Sequence, residues 1–309
     1  VQAVTNVALP FFAVVASGYF AARSGLLPRA AASGINVFVF HFALPALLVV
    51  SIAASPVHEV LDPTLLLAWL LPSLLLFALG FLLMRHGFRA SRSEAAVQAL
   101  AGVFSNVGFM GLPLVVVALG TAAVLPAVLV VLADTVLMIA IATMLIESER
   151  NARAGVWPAI ATVLGGVARN PVIIASLIGL LLAALRVTFP EPLAAYLNLL
   201  GNAAAPAALF ALGAALAARG RSRGAGSTAV VLVLKLLVHP LLVLLVALWL
   251  QLPPLWLAVL VIQASLPIAV NVYVLAQRYE VAVDQMSGAI FLSTLISILT
   301  VSYVLSRFI

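Results

Sequence analysis

Apolar residues run along this chain in long blocks, each closed by charge, glycine or proline. Ten blocks stand out, at 4–22, 33–54, 64–84, 94–119, 122–146, 169–186, 192–217, 228–250, 254–277 and 284–306. A helix needs about 20 apolar residues to cross a hydrocarbon core of about 30 Å, so the pattern predicts ten transmembrane helices joined by short turns. The narrowest division lies between the fourth and fifth blocks, where only Gly120 and Thr121 mark a turn. The first block has no basic residue ahead of it and no small-residue cleavage site behind it, so it reads as a span that stays in the membrane.

The prolines add a second period. Pro10 and Pro171 are 161 residues apart, and so are Pro45 and Pro206; Pro72 and Pro240 differ by 168, and Pro113 and Pro267 by 154. These pairs match spans one to four with spans six to nine. Five spans per half is an odd number, so the second half enters the membrane from the opposite face, an inverted repeat of the kind found in secondary transporters. Proline is common in membrane helices, but two identical offsets and two near ones weigh against coincidence. The expected fold is an all-α integral membrane protein of ten transmembrane helices in two inverted five-helix repeats. The first repeat spans 1–146, a cytoplasmic linker 147–168 and the second repeat 169–309.

Composition agrees with this and excludes other classes. Of 309 residues, 65% are hydrophobic and 8% charged, far below the ~25% charge of a soluble domain, and mean hydropathy is +1.28. There is no cysteine, so a disulfide-stapled fold is excluded. A net charge of +6 could suggest nucleic acid, but the basic residues lie in loops rather than on one face. Arg23, Arg29, Arg85, Arg89, Arg92, Arg150, Arg153, Arg169, Arg219, Arg221, Arg223 and Arg278 fall in alternate loops, whereas the opposite side holds Arg186 and Arg307. Basic residues in short loops stay cytoplasmic, so both termini are expected on the non-cytoplasmic side.

Span four contains Asn106, Gly108, Gly111 and Pro113 within eight positions, a poor continuous helix. The helix is expected to open between Gly108 and Pro113. Its repeat partner, span nine, holds Gln263, Ser265, Pro267 and Asn271. Either motif alone could be a proline kink packed in a bundle. Interrupted segments at matching places in both halves point instead to a binding site at mid-membrane, where free amides and positive helix ends attract anions. Asn106 and Asn271 are the side-chain candidates for substrate or for the freed backbone.

Two charges lie inside spans. Asp134 is about twelve residues from either end of span five, where an ionised Asp costs about 2.5 to 3.5 kcal/mol. It is a candidate proton or cation carrier, or else a structural partner of Lys235 or of a hydrogen-bond donor. Shifted by the repeat offset, its position falls among Ser293, Thr294 and Ser297. Lys235, the only lysine, shares a helical face with His239, just before Pro240. It could attract an anionic substrate, or snorkel to the near surface. Asn6, Asn36, His41 and Asn202 read as lone packing residues. His58 and Glu59 lack the second histidine of a zinc motif, and no phosphate loop is present. Neither an enzyme nor an ATP-driven pump is expected, so no cofactor is called for, and transport would be passive or coupled to protons or sodium.

The runs FALPALL at 42–48, SNVGFMGLPL at 105–114, KLLVHP at 235–240 and ASLPIAVNVYVLA at 264–276 together resemble the auxin efflux carrier family, over nearly the whole chain. The match is similar to bacterial members associated with malonate or malate permeases and, at the same motifs, to the plant PIN auxin carriers. The resemblance implies that spans four and nine cross at broken segments, as in sodium/bile-acid symporters and sodium/proton antiporters. Helices 1, 2, 6 and 7 would form a scaffold, often a homodimer, and helices 3–5 and 8–10 a mobile transport unit. Pro113 and Pro267 would shape the site, with Asn106 facing a carboxylate. Only about twenty residues fill the loop between spans five and six, where the plant carriers have a long cytosolic loop. The expected protein is a transporter of small carboxylates in a bacterial inner membrane; a channel-like or receptor protein that binds an anion without carrying it is the other reading.

Overall fold

The computed structural model describes residues 9–54, 63–150, 165, 168–217 and 225–308. Asn6, His58, Glu59, Asp62, Arg153, Arg219, Arg221, Arg223 and most of the expected linker 147–168 lie outside the described residues. The fold is all-helical, with one isolated backbone bridge and no strand among the described residues. We label the helices α1 (Leu9–Arg23), α2 (Ala30–Ala53), α3 (Pro63–Gly87), α4 (Arg92–Ala101), α5 (Val107–Leu119), α6 (Thr121–Glu149), α7 (Pro171–Ala184), α8 (Glu191–Ala217), α9 (Ala225–Trp249), α10 (Pro254–Ser265), α11 (Val270–Tyr279) and α12 (Val283–Phe308). Six of them (α2, α3, α6, α8, α9 and α12) are long and apolar enough to cross a membrane. Their outward faces carry Leu75, Leu241, Trp249 and Leu299 in the open, as surfaces that meet lipid rather than water would.

The prolines shape the helices in a repeated way. In α2, α5 and α9 a five-residue π-turn (Val39–Ala43, Val107–Gly111 and Leu234–Val238) ends two residues before Pro45, Pro113 and Pro240. Proline lacks the amide donor, and its ring crowds the carbonyl four residues back. One wider turn relieves both without breaking the helix. This corrects one expectation: the chain between Gly108 and Pro113 stays helical, and the opening lies earlier, at Gly102–Asn106. The turn at Gly120 stands where the sequence put it, with a φ of 84° that a side chain would strain.

Two helix pairs touch backbone to backbone. A Cβ on Gly18 of α1 would lie 2.0 Å from the Phe210 carbonyl of α8, and one on Gly213 of α8 would lie 1.9 Å from the Val15 carbonyl. Likewise α7 meets α2 at Gly179, where a Cβ would come within 2.9 Å of Ile52. Small residues permit such contacts between membrane helices. Gly18 and Gly179 are separated by 161 residues, the spacing of two of the proline pairs. The main core surrounds α3, α4, α5, α6 and α10 and buries Trp69, Leu100, Met110 and Leu114.

At one face of the bundle, Glu149 at the end of α6 accepts from the Arg92 and Ser93 amides at the start of α4. Gln285 near the start of α12 bonds Gln98 of α4 and Ser227 of α9. These ties bring α4, α6, α9 and α12 together at the face where Arg85, Arg89 and Arg92 lie.

Candidate functional site

The helix α4 ends at Ala101, the chain straightens through Gly102–Asn106, and α5 continues beyond. In the second half α10 ends at Ser265, and α11 starts at Val270. Leu266 is extended (φ −64°, ψ 156°), as a residue preceding proline tends to be. The two links run antiparallel and pair: the Asn106 N–H donates to the Pro267 carbonyl (2.9 Å), and the Ala269 N–H to the Phe104 carbonyl (3.1 Å). Non-helical backbone inside a membrane is tolerated when its polar groups find partners in protein, and here each link supplies the other's. Four helix ends meet at this crossing, the C-termini of α4 and α10 and the N-termini of α5 and α11.

Side chains behind the crossing complete it. Ser293 Oγ on α12 accepts from the Ile268 N–H (3.1 Å). Lys235 is fully buried and donates its ammonium to the Ala264 carbonyl (2.6 Å), in the last turn of α10, where a cation offsets the negative helix end. It does not snorkel to the surface. Asp134 Oδ1 accepts from Trp69 Nε1 (2.8 Å), and Oδ2 has no partner. Asp134 and Lys235 share no hydrogen bond. His239 Nε2 lies 3.0 Å from Ser73 Oγ, with its ring edge-on to Trp69 at 5.2 Å. Trp69 and Ser73 of α3 were not singled out by the sequence; Ser73 follows Pro72, and a tryptophan in mid-span was the other available signal.

A cavity of about 40 Å³ opens on the front of the crossing, with Ser105, Asn106, Gly108, Thr135, Asn170 and Asn271 among its lining. That volume holds a few waters, so a larger ligand needs it to widen. Asn106 is 2% exposed, and its side-chain amide nitrogen has no partner; nor has Ser105 Oγ. The predicted residues therefore divide. Asn106, Gly108 and Asn271 share the cavity. Pro267 holds the crossing through its carbonyl. Gly111 packs against the second link and the end of α10, where a Cβ would meet Leu266 Cδ1 at 2.8 Å and the Gln263 side chain at 3.6 Å, and Pro113 is buried in the first turn after the π-turn. Gln263 is fully buried with both amide atoms unpartnered, and Ser265 Oγ turns back to the Ile262 carbonyl. Asp134, Lys235 and His239 lie in the network behind. Asn170 and Thr135 were not foreseen as site residues. A wider cleft of about 860 Å³ lies between α1, α2 and α8 and the helices α11 and α12, lined by Arg23, Asn36, Gln277 and Asp284; it reaches Val270, the neighbour of Asn271.

Comparison with known proteins shows the family of the chain. A family model described as "Membrane transport protein" matches residues 3–305. The chain belongs to this family, the auxin efflux carrier family. It is 33% identical over 304 residues to a Rhizobium meliloti protein named "Putative malonate transporter", covering 97% of this chain and 94% of that protein. An uncharacterized transporter of Escherichia coli K12, YfdV, is 28% identical over 279 residues, covering 88% and 87%. An uncharacterized transporter of Methanocaldococcus jannaschii is 23% identical over 304 residues, with 96% of each chain covered. This is a multi-pass membrane transport protein.

Proposed function

We propose that the protein carries small carboxylates across a bacterial inner membrane by alternating access, binding them at the crossing of the two broken helices. The observation that carries this reading is the cavity in front of the crossing, where the N-termini of α5 and α11 meet the unpartnered Asn106 amide and Asn271. Helix N-termini present free N–H groups and positive potential to an anion. A carboxylate is a small anion that suits a site built from amides, and the name of the Rhizobium meliloti relative makes malonate the first substrate to try.

The ten-span inverted repeat, with its crossing of spans four and nine, is the architecture we infer. It is supported by the matched breaks and by the 161-residue spacing shared by the prolines and by Gly18 and Gly179. In this reading α1, α2, α7 and α8 form the scaffold, in a homodimer, and the remaining helices move as one unit past it. Both termini face away from the cytoplasm. Asp134, which keeps one carboxylate oxygen unpartnered in the middle of α6, is the group through which protons or sodium would couple.

Counterflow in proteoliposomes tests the reading. A carrier preloaded with malonate accelerates entry of labelled malonate, whereas a pore or a receptor does not; no acceleration with any mono- or dicarboxylate defeats it. If Asp134 carries the coupling proton, Asp134→Asn abolishes the pH dependence of uptake while binding persists. An unchanged pH profile would remove that role.

A further inference from the structure

One cavity-lining residue was not foreseen in the sequence. Asn170 precedes Pro171, the first residue of α7, and its Oδ1 accepts from the Val172 N–H (2.9 Å), a helix cap. The cap uses the side-chain oxygen only. The amide nitrogen donates to none of the described residues, and the residue lines the cavity that Asn106 and Asn271 share. From α2 come Phe40 and Leu44, and from the start of α7 come Asn170 and Val172. Asn170 is thus the one polar residue that this side contributes, among the described residues. A third helix N-terminus thereby reaches the cavity, opposite the buried Asn106 amide that lacks a partner.

We propose that Asn170 is a substrate-binding residue: its oxygen keeps α7 capped, while its amide N–H donates to the carboxylate held at the crossing. The substrate then bridges the crossing and α7. This rests on the carboxylate reading above. It makes two demands on one side chain that substitution can separate, because capping requires an acceptor and carboxylate binding requires a donor. Serine and aspartate cap a helix as well as asparagine does, and aspartate also suits the positive helix end. Toward an anion their order differs: serine offers a shorter, weaker donor, and ionised aspartate repels.

The test measures thermal stability and malonate affinity of the purified full chain for the wild type, Asn170→Ser, Asn170→Asp and Asn170→Ala. Melting temperatures should fall only for Ala. Malonate affinity should fall about tenfold for Ser and further for Asp, the loss of a hydrogen bond to a charged group. Affinity that follows the stability order, with Asp equal to Asn, overturns the proposal and leaves Asn170 a cap only. The chain has no cysteine, so Asn170→Cys supplies a second measurement that needs no matched stability. Malonate should slow labelling of that single thiol by a methanethiosulfonate reagent, and an unchanged labelling rate under saturating malonate counts against the contact. If the wild type binds neither malonate nor acetate, the carboxylate reading fails and this inference with it. Binding by the wild type that every Asn170 variant retains defeats this inference alone.

Discussion

At the second break two side chains hold the backbone from behind, Lys235 at the end of α10 and Ser293 at the link Leu266–Ala269, whereas Gly102–Asn106 keeps its own side-chain atoms unpaired toward the cavity. Lys235 bonds the Ala264 carbonyl in the last turn of α10, and Ser293 receives the Ile268 N–H of the link. On the first, Ser105 Oγ and Asn106 Nδ2 have no partner, although both residues are buried. Backbone pairing between the links is reciprocal, so the asymmetry lies in side chains alone. Buried polar atoms without partners are costly; Gln263 at the end of α10 carries such atoms too, but only Ser105 and Asn106 hold theirs in residues that line the cavity, where a ligand can reach them. The second link thus holds the crossing in shape, and under the proposed carboxylate reading the first is the one that meets the substrate.

Four substitutions would break or sharpen that contrast, in order of expected effect. Lys235→Met removes the cation from the end of α10 and leaves the Ala264 carbonyl unpaired, which should cost about 2 kcal/mol or more. Thermal unfolding should show the loss, and uptake in proteoliposomes should fall at least tenfold; a stable, active variant would mean that the second link needs no such tie. Asn106→Ala should do the reverse. Its amide nitrogen bonds none of the described residues, so the melting temperature should hardly move while malonate affinity, read by calorimetry, falls about tenfold. Equal losses in stability and affinity would erase the distinction between the links.

Ser293→Ala strands the Ile268 N–H and should destabilise by about 1 to 2 kcal/mol, with malonate affinity changed less than threefold. A much larger loss of affinity would move Ser293 into the binding site. Gly108→Ala should have the smallest effect. A Cβ there meets nothing within 4 Å, so stability should be unchanged and affinity reduced about twofold as the methyl narrows the cavity. A large drop in melting temperature on calorimetry would show that this turn is tighter than its surroundings suggest.

Particular residues show how far the chain could be read in advance. Gly120 ended α5 as expected because a positive φ is a local property of one residue. The break in the first half was displaced, from Gly108–Pro113 to Gly102–Asn106, because π-turns absorb proline locally. An open link, by contrast, needs a distant partner, here the Pro267 carbonyl. Asn271 was legible as the symmetry mate of a polar motif. Asn170 was not, since it adjoins a stretch that reads as a linker, and only packing brings it to the crossing. Trp69 and Ser73 were hidden for a similar reason: a hydrogen bond between helices depends on how each is rotated, and no local pattern records that.

By itself the sequence determined that the chain crosses a membrane, that prolines recur at related spacings in the two halves, and that asparagine and proline mark two matched interruptions. Those properties follow from composition and from local backbone preference. The tertiary structure alone decided where the backbone opens, that Lys235 bonds the end of α10 rather than reaching Asp134 or the surface, and that Asn106, Asn170 and Asn271 share one cavity. Each of these depends on a donor finding an acceptor far along the chain, in a medium without water to replace it.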